Sequence, residues 1–134
     1  MRQTMLLISL ALTVLGCTSA TTVDELRGRE WTLTWVEEFP SMPAGVQTPT
    51  IRFGIDGRLT GNTGCNSAGS AYTPEGDRLT ISALVTTKRA CLAAEGNALE
   101  AAYVRAVEGT RRFRIVSGEL ELLSDSGTVV ARFR

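Results

Sequence analysis

The side chains that could do chemistry here are three cysteines, two serines near a lone lysine, a few paired acids, a glycine-rich stretch and a group of arginines. There is no histidine in the 134 residues. That removes Ser-His-Asp and Cys-His nucleophilic machinery, His-ligated zinc and haem, and a histidine pH switch. Ser67 or Ser82 with Lys88 could be drawn as a Ser-Lys pair, and Glu37 with Glu38 or Glu119 with Glu121 as acid and base. Adjacent acids on a strand point to opposite faces. Glu119 and Glu121 share a face, but it is the polar face of an amphipathic strand, so a solvated surface is the expected role. Gly61, Gly64 and Gly69 could cradle a phosphate, yet no Lys-Ser/Thr follows them and no strand-loop-helix pattern surrounds them. Glycines free to take positive φ suit a tight corner that lets Cys65 reach Cys91. Arg111, Arg112 and Arg114, with Arg132 and Arg134, could contact anionic lipid or glycan. A non-enzymatic protein with no cofactor and no metal is expected.

The cysteines are read together with the N-terminus. Arg2 supplies a positive start, and residues 5–16 (MLLISLALTVLG) form an apolar run broken by Ser9 and Thr13. As a helix this run spans about 18 Å, against a hydrocarbon core of about 30 Å. It has the layout of a secretory signal peptide, with a buried N-terminal helix as the alternative. Its end, Val14-Leu15-Gly16-Cys17, resembles a bacterial lipobox, in which the chain is cut before a cysteine that carries diacylglycerol. The alternative is an ordinary signal with Cys17 left free. Two or three acyl chains, as bacterial lipoproteins carry, would hold the domain on a membrane where one chain would not. Thr18 stands where an Asp retains many such proteins at the inner membrane, so the same resemblance implies an outer-membrane site facing the periplasm. With Cys17 used, Cys65 and Cys91 remain as an even pair in an oxidising compartment. A bond between them closes a loop worth about 3.5 kcal/mol in chain entropy; two free buried thiols are the rival.

Length and composition then bound the rest. One domain is expected, with 43% apolar residues to build a core and 21% charged residues. Thirteen arginines and Lys88 balance 14 acids, so net charge gives no nucleic-acid footprint. Turn signals recur at Asp56-Gly57, Pro74-Glu75-Gly76-Asp77, Ser117-Gly118 and Asp125-Ser126-Gly127, and short alternating runs flank them. The run over residues 31–36 places Trp31, Leu33 and Trp35 on one face. Residues 94–107 change period: Leu99, Ala102, Tyr103, Ala106 and Val107 recur at helical spacing, and Gly109 sits where a cap belongs. Residues 40–49 hold three of the four prolines and read as a loop. The fold class is mainly β with one helix (α+β): a small antiparallel, strongly curved sheet or β-barrel with the helix packed against it.

The densest signal is GNTGCNSAGSAY at residues 61–72, followed by RLTI at 78–81 and TTKRAC at 86–91. It resembles the META domain family, to which the bacterial heat-shock lipoprotein HslJ belongs. The matching positions are Gly61, Gly64, Cys65, Asn66, Tyr72, Thr87, Ala90, Cys91 and the helix acid Glu100, with Trp31 before them and residues 120–133 after. Gly69 comes one place early, Ser70 stands where the family has Gly, and Arg89 where it has Met. Exposure is expected at Arg89. The chain divides into a signal (1–16), a lipidated cysteine and tether (17–26) and a META domain (27–134). The resemblance implies an envelope lipoprotein with a stress or envelope-integrity role exerted through an unidentified envelope protein. The alternative is a lipocalin-like barrel holding a small apolar ligand.

Overall fold

The computed structural model describes residues 22–134. The signal segment and Cys17 lie outside these described residues. The packed structure begins ahead of residue 27. A short helix α1 (Val23–Leu26) is closed by a capping box between Thr22 and Glu25, and it buries Leu26. The indole nitrogen of Trp31 donates to the Leu26 carbonyl at 2.9 Å, which ties this turn to the core.

Nine strands follow in one antiparallel sheet: β1 (Glu30–Val36), β2 (Thr50–Phe53), β3 (Arg58–Asn62), β4 (Ser67–Glu75), β5 (Arg78–Ile81), β6 (Val85–Thr86), β7 (Arg112–Val116), β8 (Glu119–Leu123) and β9 (Val129–Phe133). β1 pairs with β9 as well as β2, and β3 pairs with β4 as well as β2, so the sheet curls into a ring. β4 changes partner along its length. Tyr72 to Glu75 pair with β5, whereas Ala68 and Gly69 pair with β6. Ser70 sits at the changeover, and its hydroxyl donates to the Ser82 carbonyl at 2.7 Å. Ser70, where the resemblance leads one to expect glycine, thus fastens the chain where β5 leaves.

The one long helix among the described residues, α2 (Ala94–Gly109), packs on β1, β8 and β9. It buries Leu99, Ala102, Tyr103, Ala106 and Val107, the stripe read from their spacing. Gly109 belongs to the last turn instead of capping it. Thr110 takes the cap, and its hydroxyl returns to the Ala106 carbonyl at 2.8 Å. Tyr103 reaches across to the Thr50 carbonyl at 2.8 Å, so the helix lies over the end of the ring where β2 begins and β3 ends.

The interior is filled by Trp31, Phe53, Tyr103, Phe113 and Phe133 with Leu33, Leu59 and Leu120, all essentially inaccessible to solvent. Eight of the nine strands close the ring, with β6 outside it on β4, and an eight-strand ring is about wide enough for side chains alone. The expectation of a lipocalin-like interior for an apolar ligand therefore finds no support. One expected face also changes. A register shift between Leu33 and Trp35 puts Val36 inward and leaves Trp35 half-buried, with the Arg132 guanidinium 5.0 Å from its ring centre. Alternation cannot see such an extra residue.

The turns fall where glycine was expected. Gly57, Gly76, Gly118 and Gly127 all have positive φ. Pro74 lies inside β4, opposite Leu79, and the turn itself is confined to Gly76-Asp77. Gly61 is different: it is needed for space. A Cβ there would stand 2.5 Å from the Thr50 carbonyl oxygen and 2.6 Å from the Tyr103 hydroxyl. Gly61→Ala is expected to lower stability by about 1–3 kcal/mol through overpacking. Thermal unfolding reads this directly, and an unchanged midpoint would contradict the close approach.

Candidate functional site

The connection from β3 to β4 is a four-residue corner. The Gly64 amide donates to Asn62 Oδ1 at 2.7 Å, and Gly64 adopts φ +94°. The Thr63 amide donates to the Asn66 carbonyl at 2.8 Å, and the Asn66 amide donates to Thr63 Oγ1 at 2.9 Å. Thr63 and Asn66 are both buried. This reciprocal pairing turns the chain so that Asn66 points inward and Cys65 outward.

Asn66 then holds two other segments. Its Oδ1 accepts from the Thr87 hydroxyl and from the Arg89 amide, each at 2.8 Å. Its Nδ2 donates to the Arg89 carbonyl at 3.0 Å and to Glu100 Oε2 at 2.9 Å. Both lone pairs and both protons of the amide are used. The Thr63 hydroxyl is hydrogen-bonded to the same Glu100 oxygen. One buried side chain thus joins the corner, the strand β6 extension and helix α2.

The disulfide Cys65–Cys91 sits on this knot, with Cα atoms 5.5 Å apart, inside the ordinary range for a bridge. Gly96 in the first turn of α2 makes room for it, since a Cβ there would lie 3.0 Å from Cys91 Cβ. The proline-rich loop closes the other side. The Gln47 carbonyl oxygen lies 2.7 Å from where a Gly64 Cβ would be. Between loop and helix lies a cleft of about 310 Å³ lined by Val46, Gln47, Arg89, Leu92 and the disulfide itself. Arg89 is exposed here, and Leu92 is entirely exposed.

The structure gathers Gly64, Cys65, Asn66, Thr87, Ala90, Cys91 and Glu100 in one place. It leaves three other singled-out residues elsewhere. Gly61 is extended strand beneath Tyr103, and Gly69 is extended strand opposite Thr60; neither has positive φ. Tyr72 lies near α1, where it accepts from Arg27 Nε at 2.9 Å, hydrogen-bonds the Gly54 carbonyl and stacks edge-on against Phe53. Arg111, Arg112 and Arg114 do not converge on one acceptor. Arg111 donates to the Glu108 and Thr110 carbonyls, Arg112 pairs with Asp77, and Arg114 pairs with Glu121.

Glu121 departs from the solvated role expected of it. Arg114 and Arg132 cover it from both sides, and it is buried. Burial pushes its carboxyl up, but hydrogen bonds from Arg132 and Arg114 outweigh this and hold it below the usual carboxylate value of 4.5. A carboxyl lowered in the folded state adds stability above its unfolded pKa and loses it as pH falls through the folded value. Wild type should therefore exceed Glu121→Gln in stability at neutral pH, with the gap closing in acid. A gap unchanged from pH 7 to pH 3 would contradict the pairing.

Two contributors were not legible in the sequence. Thr63 lacked a motif of its own, although a Thr three residues before an Asn is compatible with the side-chain turn it makes. The loop residues Val46 and Gln47 carried no signal for the cleft at all.

A profile of the META domain matches residues 24–134. The chain belongs to the META domain family. No curated protein matches it in sequence. Two structures solved by NMR share the META domain chain's fold. One has a TM-score of 0.66 at 18% identity, covering 84% of this chain and 93% of its own. The other, a protein from Burkholderia xenovorans, has a TM-score of 0.64 at 19% identity, covering 100% of this chain and 98% of its own.

Proposed function

We propose that this META domain protein is a non-enzymatic, HslJ-like envelope lipoprotein. It is anchored through Cys17 to the outer membrane, faces the periplasm, and serves envelope integrity or stress response by binding another envelope protein. The observation that carries the reading is the disulfide-braced cleft with Leu92 standing fully exposed on its wall. A large apolar side chain, carried on a segment that the disulfide holds at Cys91 and Asn66 holds at Arg89, is ready to be covered by a partner. Support for the compartment comes from the cysteine bond, which suits an oxidising environment, and from the lipobox-like run ending at Cys17.

A photo-crosslinking residue placed at Leu92 tests the partner. In intact envelopes it should give a discrete adduct that a probe at Val116, an exposed apolar residue on the β7–β8 hairpin, does not. Equal labelling from both positions would contradict the reading. Cys17→Ala should release the protein from the membrane fraction, and unchanged fractionation would sink the anchor.

A further inference from the structure

The geometry points to a second state of the disulfide corner: once reduced, Cys65 and Cys91 together with Glu100 form a binding site for a soft divalent cation of the zinc type. Ligand atoms of these three residues lie within 4.8 Å of one another. The three come from three separate pieces of chain, the β3–β4 corner, the segment before α2 and α2 itself. They are brought together by the corner, not by adjacency in sequence.

The donor set fits the chemistry. Two thiolates and a carboxylate suit zinc or cadmium, with metal–sulfur bonds of about 2.3 Å and metal–oxygen bonds of about 2.0–2.2 Å. Cα atoms 5.5 Å apart allow two thiolates to share a tetrahedral metal without moving the backbone far. The surroundings fit as well. Both hydrogen bonds to Glu100, from Thr63 and from Asn66, go to Oε2, which orients the carboxylate and leaves Oε1 out of these two bonds. Asn66 Nδ2 also lies 3.7 Å from Cys65 Sγ. Partners of this kind outside the ligand set fix ligand direction in metal sites. The cleft borders the sulfurs, so a fourth ligand can enter from solvent.

The chemistry balances in two steps. A dithiol reductant gives two electrons and two protons to the Cys65–Cys91 bond and leaves as its own disulfide, so that two protein thiols result. The cation then displaces both thiol protons and takes the two thiolates and Glu100. While the disulfide is intact, neither sulfur is a thiolate and the site does not exist. The corner would thus report reducing conditions as metal uptake.

The test is a Cd²⁺ titration of the mature domain, oxidised and reduced, read by the ultraviolet thiolate-to-metal band and by proton release, with far-ultraviolet circular dichroism recorded throughout. The expected result is one Cd²⁺ per reduced chain with two protons released, and no thiolate band in the oxidised chain. Glu100→Gln keeps an acceptor for Thr63 and Asn66. It should retain the band but weaken binding by at least about tenfold, the scale on which even supporting partners act. Cys65→Ser should abolish stoichiometric uptake. Equal uptake by oxidised protein, no band on reduction, or an unchanged affinity in Glu100→Gln would each overturn the site. If the reduced chain loses its native dichroism, Cd²⁺ should restore it, and failure to do so would also overturn it.

Discussion

Asn66→Ala is expected to cost about 3 kcal/mol or more, because it removes four hydrogen bonds at once, each worth about 0.5–1.5 kcal/mol net. The loss strips partners from the Thr87 hydroxyl, the Arg89 amide and carbonyl, and Glu100 together. For a domain of this size that is a fall in Tm on the order of 10 °C or more. Asn66→Asp makes a sharper version of the test. It keeps an acceptor for Thr87 and Arg89 but replaces the two donated hydrogen bonds with a carboxylate facing Glu100. It should be destabilised as well, and the damage should ease in acid as the introduced carboxylate protonates. A midpoint within a degree or two of wild type in Asn66→Ala would mean that the corner is held by something other than this side chain.

Removal of the disulfide by paired Cys65→Ser and Cys91→Ser should cost about 3.5 kcal/mol on the chain-entropy estimate for a loop of this length. The bond links the β3–β4 corner to the entry of α2, and Asn66 links the same two regions. Changes that share partners do not add. The combined variant should therefore lose an amount measurably different from the sum of the separate losses. Simple additivity would show that the bond and the asparagine act on independent parts of the fold. A Cys pair change with no stability loss would remove the bridge from the account altogether.

Period and punctuation made the fold legible. The helical stripe from Leu99 to Val107 and the glycines at 57, 76, 118 and 127 depend on local rules, and the structure follows them. Local rules failed where a residue answers to a distant neighbour. Trp35 turns outward because β1 must meet β9 with a register shift, which no pattern within β1 encodes. Glu121 is buried because arginines from β7 and β9 fold over it. The site was half legible. Its cysteines, Asn66, Thr87 and Glu100 stood in a recognisable order, but their convergence depends on three segments meeting. The loop at 45–47 joins them through the Gln47 carbonyl and the Val46 side chain, both close to Gly64. Likewise, three arginines close in sequence suggested a patch, whereas each found its own acceptor.

The most direct test of the lipoprotein account is the intact mass of the protein purified from its own envelope without reduction. The account predicts a chain beginning at Cys17, heavier by its acyl groups and two hydrogens lighter than the fully reduced form. A chain with an unmodified Cys17, or with Cys65 and Cys91 both free, would contradict it.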